Sequence, residues 1–170
     1  MNIGNVESNI RGSGARNNAG KPPMHLIPYT LIANSYDISS LDPEKKMVQS
    51  LLYHSGLFQQ TGHVVYLEDA LKVAKNYWAD CAEVFGYGAN KYAEYNWCKG
   101  MKWSVPLGCI GRHCLKVLSL NEMTDDESGL SHIGHIMCNL VMLETFILSF
   151  PEGNDLPPAN FTVTLKKETT

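Results

Sequence analysis

The chain has no uninterrupted apolar run approaching the roughly 20 residues that a membrane-spanning helix needs. Its opening stretch, MNIGNVESNIRGSGARNNAGKPP, lacks the apolar centre of a secretory signal. These absences make the cytoplasm the expected location and exclude a membrane from the expected partners. Positive charge is also in short supply: 14 Lys and Arg stand against 17 Asp and Glu, a net charge of −3. A protein that coats nucleic acid carries a positive excess, so nucleic acid is not an expected partner, and any phosphate-bearing ligand has to be held by a local set of cations. The five cysteines, Cys81, Cys98, Cys109, Cys114 and Cys138, contain no CxxC pair. In a reducing compartment such an odd set stays as free thiols, most of them small buried hydrophobes. No internal repeat is visible.

What is present suits one domain: 170 residues, 44% of them hydrophobic, are enough for a single core. Residues 1–23, rich in Gly, Asn and Ser and closed by Pro22 and Pro23, read as a flexible arm that a ligand orders. The next stretch, MHLIPYTLIANSYDI, is broken by Pro28 and is expected to wrap the domain without regular structure. SSLDPEKKMVQSLLYHSG reads as a helix capped by Asp42, started by Pro43 and stopped by Gly56. YLEDALKVAKNYWADCAEVFGYG places Leu67, Ala70, Leu71, Ala74, Tyr77, Trp78, Cys81 and Phe85 on one face of a single helix. LGCIGRHCLKVLSL and SGLSHIGHIMCNLVMLETFILSF give two more, the last ended by Pro151. In the tail, residues 151–170, ANFTVTLKK alternates like a short strand. The fold class expected is all-α, a four-helix bundle over residues 40–150 with an irregular N-terminal arm, its sites assembled from side chains on facing helices.

On the last helix His132, His135 and Asn139 fall within an arc of roughly 60°. Their neighbours are apolar, and an unpaired buried imidazole or amide costs about 1–3 kcal/mol. The stripe is either a structural hydrogen-bond network, a face turned to water, or a ligand or metal shell. NEMTDDESG sets Glu122, Asp125, Asp126 and Glu127 beside the start of that helix. Such carboxylates suit a hard divalent cation, and they equally complement a helix dipole. Glu83 lies near a helix end where the dipole disfavours it, so it needs a positive partner, either a surface cation or a metal shared with Glu122 and Asp125. Arg16, Lys21, Lys91, Lys99, Arg112 and Lys116 form the local cationic set that a polyphosphate requires. The glycine-bearing YGANKY matches neither GxxxxGK[ST] nor GxGxxG.

Three blocks, GARNNAGKPPMHLIP, AEVFGYGANKYAEYNWCKG and GRHCLKVLSLNEMTDDESGLSHIGHIMCNLVML, resemble the signature blocks of the dATP/dGTP diphosphohydrolase family. That family is similar to the all-α MazG-like nucleoside triphosphate pyrophosphohydrolases and includes the MazZ enzymes of phages that replace adenine with 2,6-diaminopurine. The resemblance covers residues 14–30 and 79–144. It implies hydrolysis of a purine deoxynucleoside triphosphate between its α and β phosphates, with Mg²⁺ or Mn²⁺, in a homo-oligomer, dimer or tetramer. MazG-like enzymes carry their metal shell on an EExxE helix followed by ExxD. Glu83 is the single glutamate of the first element here, with Asp80 nearby, and Glu122-Met-Thr-Asp125 matches the second. The resemblance therefore implies metal ligation by Glu83, Glu122 and Asp125, with His132 as a further catalytic group. It implies substrate contacts from Arg16, Asn17, Asn18, Lys21, Lys91, Tyr92, Asn96, Trp97, Lys99, Arg112, His113, His135 and Asn139. Lys91 and Lys99 meet phosphate in this reading, the glycines allow close approach, and Tyr92 or Trp97 stacks on a base or walls the pocket. Asn17 and Asn18 offer donors and acceptors to guanine, which makes dGTP the expected preference and dATP its nearest competitor. Two other classes are weighed beside it. HD-type phosphohydrolases need a His-Asp dipeptide, and no histidine here is followed by aspartate. A non-catalytic helical module, binding a nucleotide or a protein through the histidine stripe, is the remaining alternative.

Overall fold

In a computed structural model of the chain, residues 2–158 are described, and the alternating ANFTVTLKK segment lies outside them. The architecture is all-α. Its helices are α1 (Tyr29–Asn34), α2 (Pro43–Thr61), α3 (Val65–Val73), α4 (Trp78–Lys91), α5 (Ser104–Leu120) and α6 (His132–Ser149). The extended pairing in the arm is short: β1 (Asn2–Ile3) lies antiparallel to β2 (Arg16–Asn17), with Ile3 opposite Arg16.

α5 and α6 run antiparallel at the centre, because the Trp103 amide donates to the Gly153 carbonyl (3.0 Å) and its indole to the Phe150 carbonyl (3.0 Å). Asp155 caps the first turn of α5, accepting from the Ser104 amide (2.8 Å) and hydroxyl (2.6 Å). α4 packs on α6, α3 touches both α2 and α6, and α2 lies against α1 and α5. Ile133, Ile136, Met137, Leu140, Leu143 and Phe146 of α6 are all buried. This helix is long and apolar enough to cross a membrane by composition alone, yet it is the spine of the core.

Three expectations change. The stretch after Pro28 is helical, since Pro28 occupies the cap position ahead of α1 rather than its interior, where it would break hydrogen bonds. Tyr29 anchors that helix, its amide donating to Gln59 Oε1 (2.9 Å) and its hydroxyl to the Leu107 carbonyl (2.6 Å). Gly56 does not stop α2, which ends at Gly62 in the left-handed conformation (φ 70°). Gly56 is a packing position instead: a Cβ there would come within 2.5 Å of the Thr30 amide nitrogen. The single long helix over residues 66–88 is two, α3 and α4, separated by a 3-10 turn at Lys75–Tyr77. Leu67, Ala70, Ala74, Cys81 and Val84 are buried on both sides of the break, so apolar periodicity carries no trace of it. α4 also continues through Gly86 and Gly88 to Lys91.

α4 approaches α6 so closely that a Cβ on Gly134 would lie 2.7 Å from the Asp80 carbonyl oxygen and 2.9 Å from its carbon. Backbone cannot swing aside as a side chain can. Gly134→Ala is expected to lower stability by about 1–3 kcal/mol. Gly86→Ala, with nothing within 4 Å of the added atom, is expected to raise it by up to about 1 kcal/mol through helix propensity. Urea denaturation of both variants checks the pair, and equal shifts would contradict the packing.

Candidate functional site

The loop between α5 and α6 is built to hold one carboxylate. Asn121 ends α5 in the left-handed conformation, and Gly129 (φ 71°) turns the loop so that its amide reaches the Asp125 carbonyl (2.7 Å). Asp125 donates its amide to Leu130 O (2.8 Å), and the His132 amide donates to Met123 O (3.0 Å). Inside this turn Asp125 Oδ2 accepts from the Ser128 amide (2.9 Å) and hydroxyl (2.8 Å). Burial pushes the Asp125 carboxyl up, but the two Ser128 bonds and the nearby His135 outweigh it and hold it below its ordinary range. Asp125 is an anion at neutral pH.

Ser131 caps α6, accepting from the amides of Ile133 and Gly134, and the stripe begins at once. His132 (0% exposed) and His135 (8%) lie against His113 of α5. The Nδ1 atoms of His113 and His132 are 2.8 Å apart. The His113 and His135 rings stack at 4.5 Å and 12°. His135 Nε2 meets Ser128 Oγ (2.8 Å) and lies 3.8 Å from Asp125 Oδ2. His132 Nε2 is buried with no hydrogen-bond partner. Burial lowers all three imidazoles, His113 well below its ordinary value and His135 to about 4, with Asp125 opposing the shift at His135 and His132. The cluster is neutral at pH 7. Asn139, fully buried one turn on, accepts from the Arg16 guanidinium (2.6 Å) and donates to the His135 carbonyl (2.7 Å).

Two adjoining cavities open beside this cluster. One, about 370 Å³, is largely apolar and lies between Ala15 of the arm, Val84, Phe85 and Gly88 of α4, Tyr92, Trp97, and Cys138, Val141 and Met142 of α6. The other, about 80 Å³, is more polar and is bordered by Arg16, Asn17, Lys21, Lys91, His113, Asp125, Glu127 and His135. Arg16, Val84, Gly88 and Tyr92 line both.

The sequence-predicted residues divide accordingly. Asp125, His113, His132, His135, Asn139 and Arg16 come together. Lys91 pairs with Glu127, which also lies 3.8 Å from Lys21. Tyr92 accepts the Asn17 amide (2.8 Å), and Arg112 donates to Asn18 Oδ1 (2.5 Å), Pro22 O (3.2 Å) and Cys109 Sγ (3.0 Å). Trp97 serves as wall and core at once, touching Phe85 (centroids 5.2 Å) and Phe146 (6.2 Å).

Three residues sit elsewhere. Glu83 is exposed, one position from the cleft-facing Val84, and lines neither cavity. Glu122 is paired with Lys116 (2.9 Å). Lys99 is turned to the arm, donating to Val6 O (2.9 Å) and Asn5 O (3.4 Å). Nor is the arm loose. Gly12 and Gly14 donate their amides to the carbonyls of Lys99 (2.6 Å) and Gly100 (3.0 Å), and Asn96 bonds both the amide and the carbonyl of Ala15. Its backbone is satisfied by a neighbouring turn, a source of order that composition does not reveal. Gly88 of YGANKY and the preceding Gly86 lie in a helix, so their amides are not held open for phosphate. Ser128, Cys109, Tyr87 and Glu94 complete the cavity walls and supports, and sequence reasoning missed them. Only Ser128 had a local signal, an Asp-x-x-Ser-Gly turn.

Asn139 links the arm to the core through one hydrogen bond to Arg16. Asn139→Leu is expected to free Arg16 and speed tryptic cleavage after Arg16, with helix content unchanged; the Lys21–Pro22 bond is not a tryptic site. Asn139→Asp keeps the acceptor and should hold the rate near that of the parent chain. Limited proteolysis with circular dichroism reads both, and equal cleavage in all three proteins would contradict the link.

Residues 68–156 match the family model described as dATP/dGTP diphosphohydrolase, N-terminal. A dATP/dGTP diphosphohydrolase of Salmonella phage PMBT28 is 32% identical over 76 residues, which is 45% of this chain and 26% of that protein. The match thus spans about a quarter of that relative's length. No solved structure matches. The family match contains the histidine cluster, Asp125 and most of both cavity walls, and leaves the arm outside. Extending over more than half of the chain, it shows that the protein belongs to the dATP/dGTP diphosphohydrolase N-terminal family.

Proposed function

We propose that this chain hydrolyses purine deoxynucleoside triphosphates to the monophosphate and pyrophosphate with the help of a divalent cation, Mg²⁺ or Mn²⁺, taking dGTP ahead of dATP. One observation carries the reading: an aromatic-walled cavity of about 370 Å³ adjoins a recess ringed by Arg16, Lys21 and Lys91. A purine nucleotide has the same two ends, a flat apolar base and a polyanion. The family name supports the same class of substrate.

In this reading Tyr92 and Trp97 border the base, and Arg16, held by Asn139, faces the phosphates. Lys21 and Lys91 share the Glu127 carboxylate, which a polyphosphate displaces as it enters. A dication held at Asp125 would offset part of the triphosphate charge and lower the pKa of a water. The water oxygen bonds to the α-phosphorus, the bond to the bridging oxygen of the β-phosphate breaks, and a neutral imidazole of the cluster takes the proton. The physiological setting proposed is remodelling of a phage deoxynucleotide pool. Assembly as a dimer or tetramer belongs to the same reading and is measured by sedimentation.

Guanine selectivity is assigned to Glu94, an exposed carboxylate on the wall of the apolar cavity. Guanine presents N1–H and its 2-amino group side by side, and one carboxylate accepts both. Adenine presents a lone pair at N1, which a carboxylate repels. Asn18 is already engaged by Arg112.

Incubation of the purified chain with each deoxynucleoside triphosphate and Mg²⁺ or Mn²⁺ is expected to yield dGMP and pyrophosphate fastest, with dATP next. Binding of dGTP without turnover of any triphosphate would replace the enzyme reading with a nucleotide-binding module. Glu94→Gln is expected to reduce the dGTP-to-dATP ratio of kcat/KM about 10–100-fold, the worth of a hydrogen bond to a charged group. An unchanged ratio would remove Glu94 from base recognition.

A further inference from the structure

We propose that His113, Asp125 and His132 form a binding site for one transition-metal dication of the Mn²⁺, Fe²⁺, Co²⁺ or Zn²⁺ class, in preference to Mg²⁺. Each offers a ligand atom, and these atoms lie within 4.8 Å of one another. No other such group of three occurs among the described residues. The site is a different donor set from the carboxylates Glu83, Glu122 and Asp125: it shares Asp125 and replaces both glutamates with imidazole.

The geometry favours ligation over an ordinary hydrogen bond. Two neutral imidazoles facing each other through Nδ1 at 2.8 Å must share one proton, and that choice fixes a tautomer on each ring. A cation removes the competition by accepting both lone pairs. Two nitrogens bound to one ion at about 2.1 Å and near a right angle lie about 3 Å apart, so little movement is needed.

The supports are those a ligating set requires. Ser128 fixes Asp125 through its amide and hydroxyl. His135 stacks flat on His113 while its Nε2 meets the Ser128 hydroxyl, so one serine positions the carboxylate and one ring restrains the other. His113 and Asp125 line the polar recess, which leaves the remaining coordination positions turned toward water and phosphate oxygen. The donor chemistry then sets the ion. Mg²⁺ takes oxygen ligands and sheds water reluctantly, whereas imidazole with carboxylate suits the first-row transition dications.

Metal binding is measured on the full, chelator-stripped chain with no nucleotide present, so the outcome is separate from whether the chain turns over triphosphate. Calorimetry is expected to show one Mn²⁺ or Co²⁺ per chain, bound at least about 100-fold more tightly than Mg²⁺. His113→Gln and His132→Gln should each weaken that affinity at least about tenfold, while Glu83→Gln and Glu122→Gln leave it unchanged. Because His132 is buried and its substitution puts folding at risk, the unmodified protein supplies a second reading: pulsed electron paramagnetic resonance of bound Mn²⁺ should show couplings to imidazole ¹⁴N. Equal affinity for Mg²⁺, loss of binding in the glutamate variants alone, or Mn²⁺ without nitrogen coupling would each overturn the site.

Discussion

A polar side chain inside an apolar helix needs a partner, and in this protein the partners of one stripe organise everything around the cleft. His132, His135 and Asn139 occupy the inner face of α6, where they are buried. His132 is met by His113, which ties α6 to α5. His135 is met by Ser128, which ties it to the connecting loop. Asn139 is met by Arg16, which brings the arm over the core. Loop and central helix pair are therefore positioned, and the arm is fastened at Arg16, by the hydrogen-bonding needs of one face, and the cleft forms where those three meet.

The electrostatics follow from the same burial. An acidic chain can hold a polyanion only where its cations are gathered, and here Arg16, Lys21 and Lys91 converge on one recess while the three imidazoles beside them stay uncharged. Arg16 and Arg112 extend their influence to Cys109: burial pushes its thiol up, and the two guanidinium groups outweigh that and hold it below its ordinary value. Glu127 balances Lys21 and Lys91, and Lys91 keeps its carboxyl below the usual range. The recess is thus compensated before any ligand arrives, and a more highly charged anion gains by exchange.

What could be read from the sequence was what repeats or caps. The stripe of His132, His135 and Asn139 was legible because helical spacing alone puts three polar groups on one side. Asp42 and Pro43 mark the start of α2 by local chemistry, and Pro151 marks the end of α6. What was hidden depends on contacts distant in sequence. Gly56 and Gly62 are both plausible stops, and only the crossing of α1 at Thr30 distinguishes them. Glu83 and Val84 are neighbours, yet a rotation of about 100° between successive residues sends one to solvent and the other to the cleft. His113 gave no stripe of its own, since its importance comes from the facing helix. The order of the arm was hidden for a related reason: it rests on backbone bonds to residues 99 and 100.

Gly88 carries a further implication. It lies within α4, at a helix position where glycine costs up to about 1 kcal/mol relative to alanine, and it borders both cavities with nothing within 4 Å of where a Cβ would stand. The room at the shared border of the two cavities is thus set in part by an omitted atom, not by any reactive group. A single codon change to a bulkier residue would narrow that border while leaving every histidine and lysine in place. Position 88 can therefore change the size of what the two cavities admit independently of the polar groups beside them.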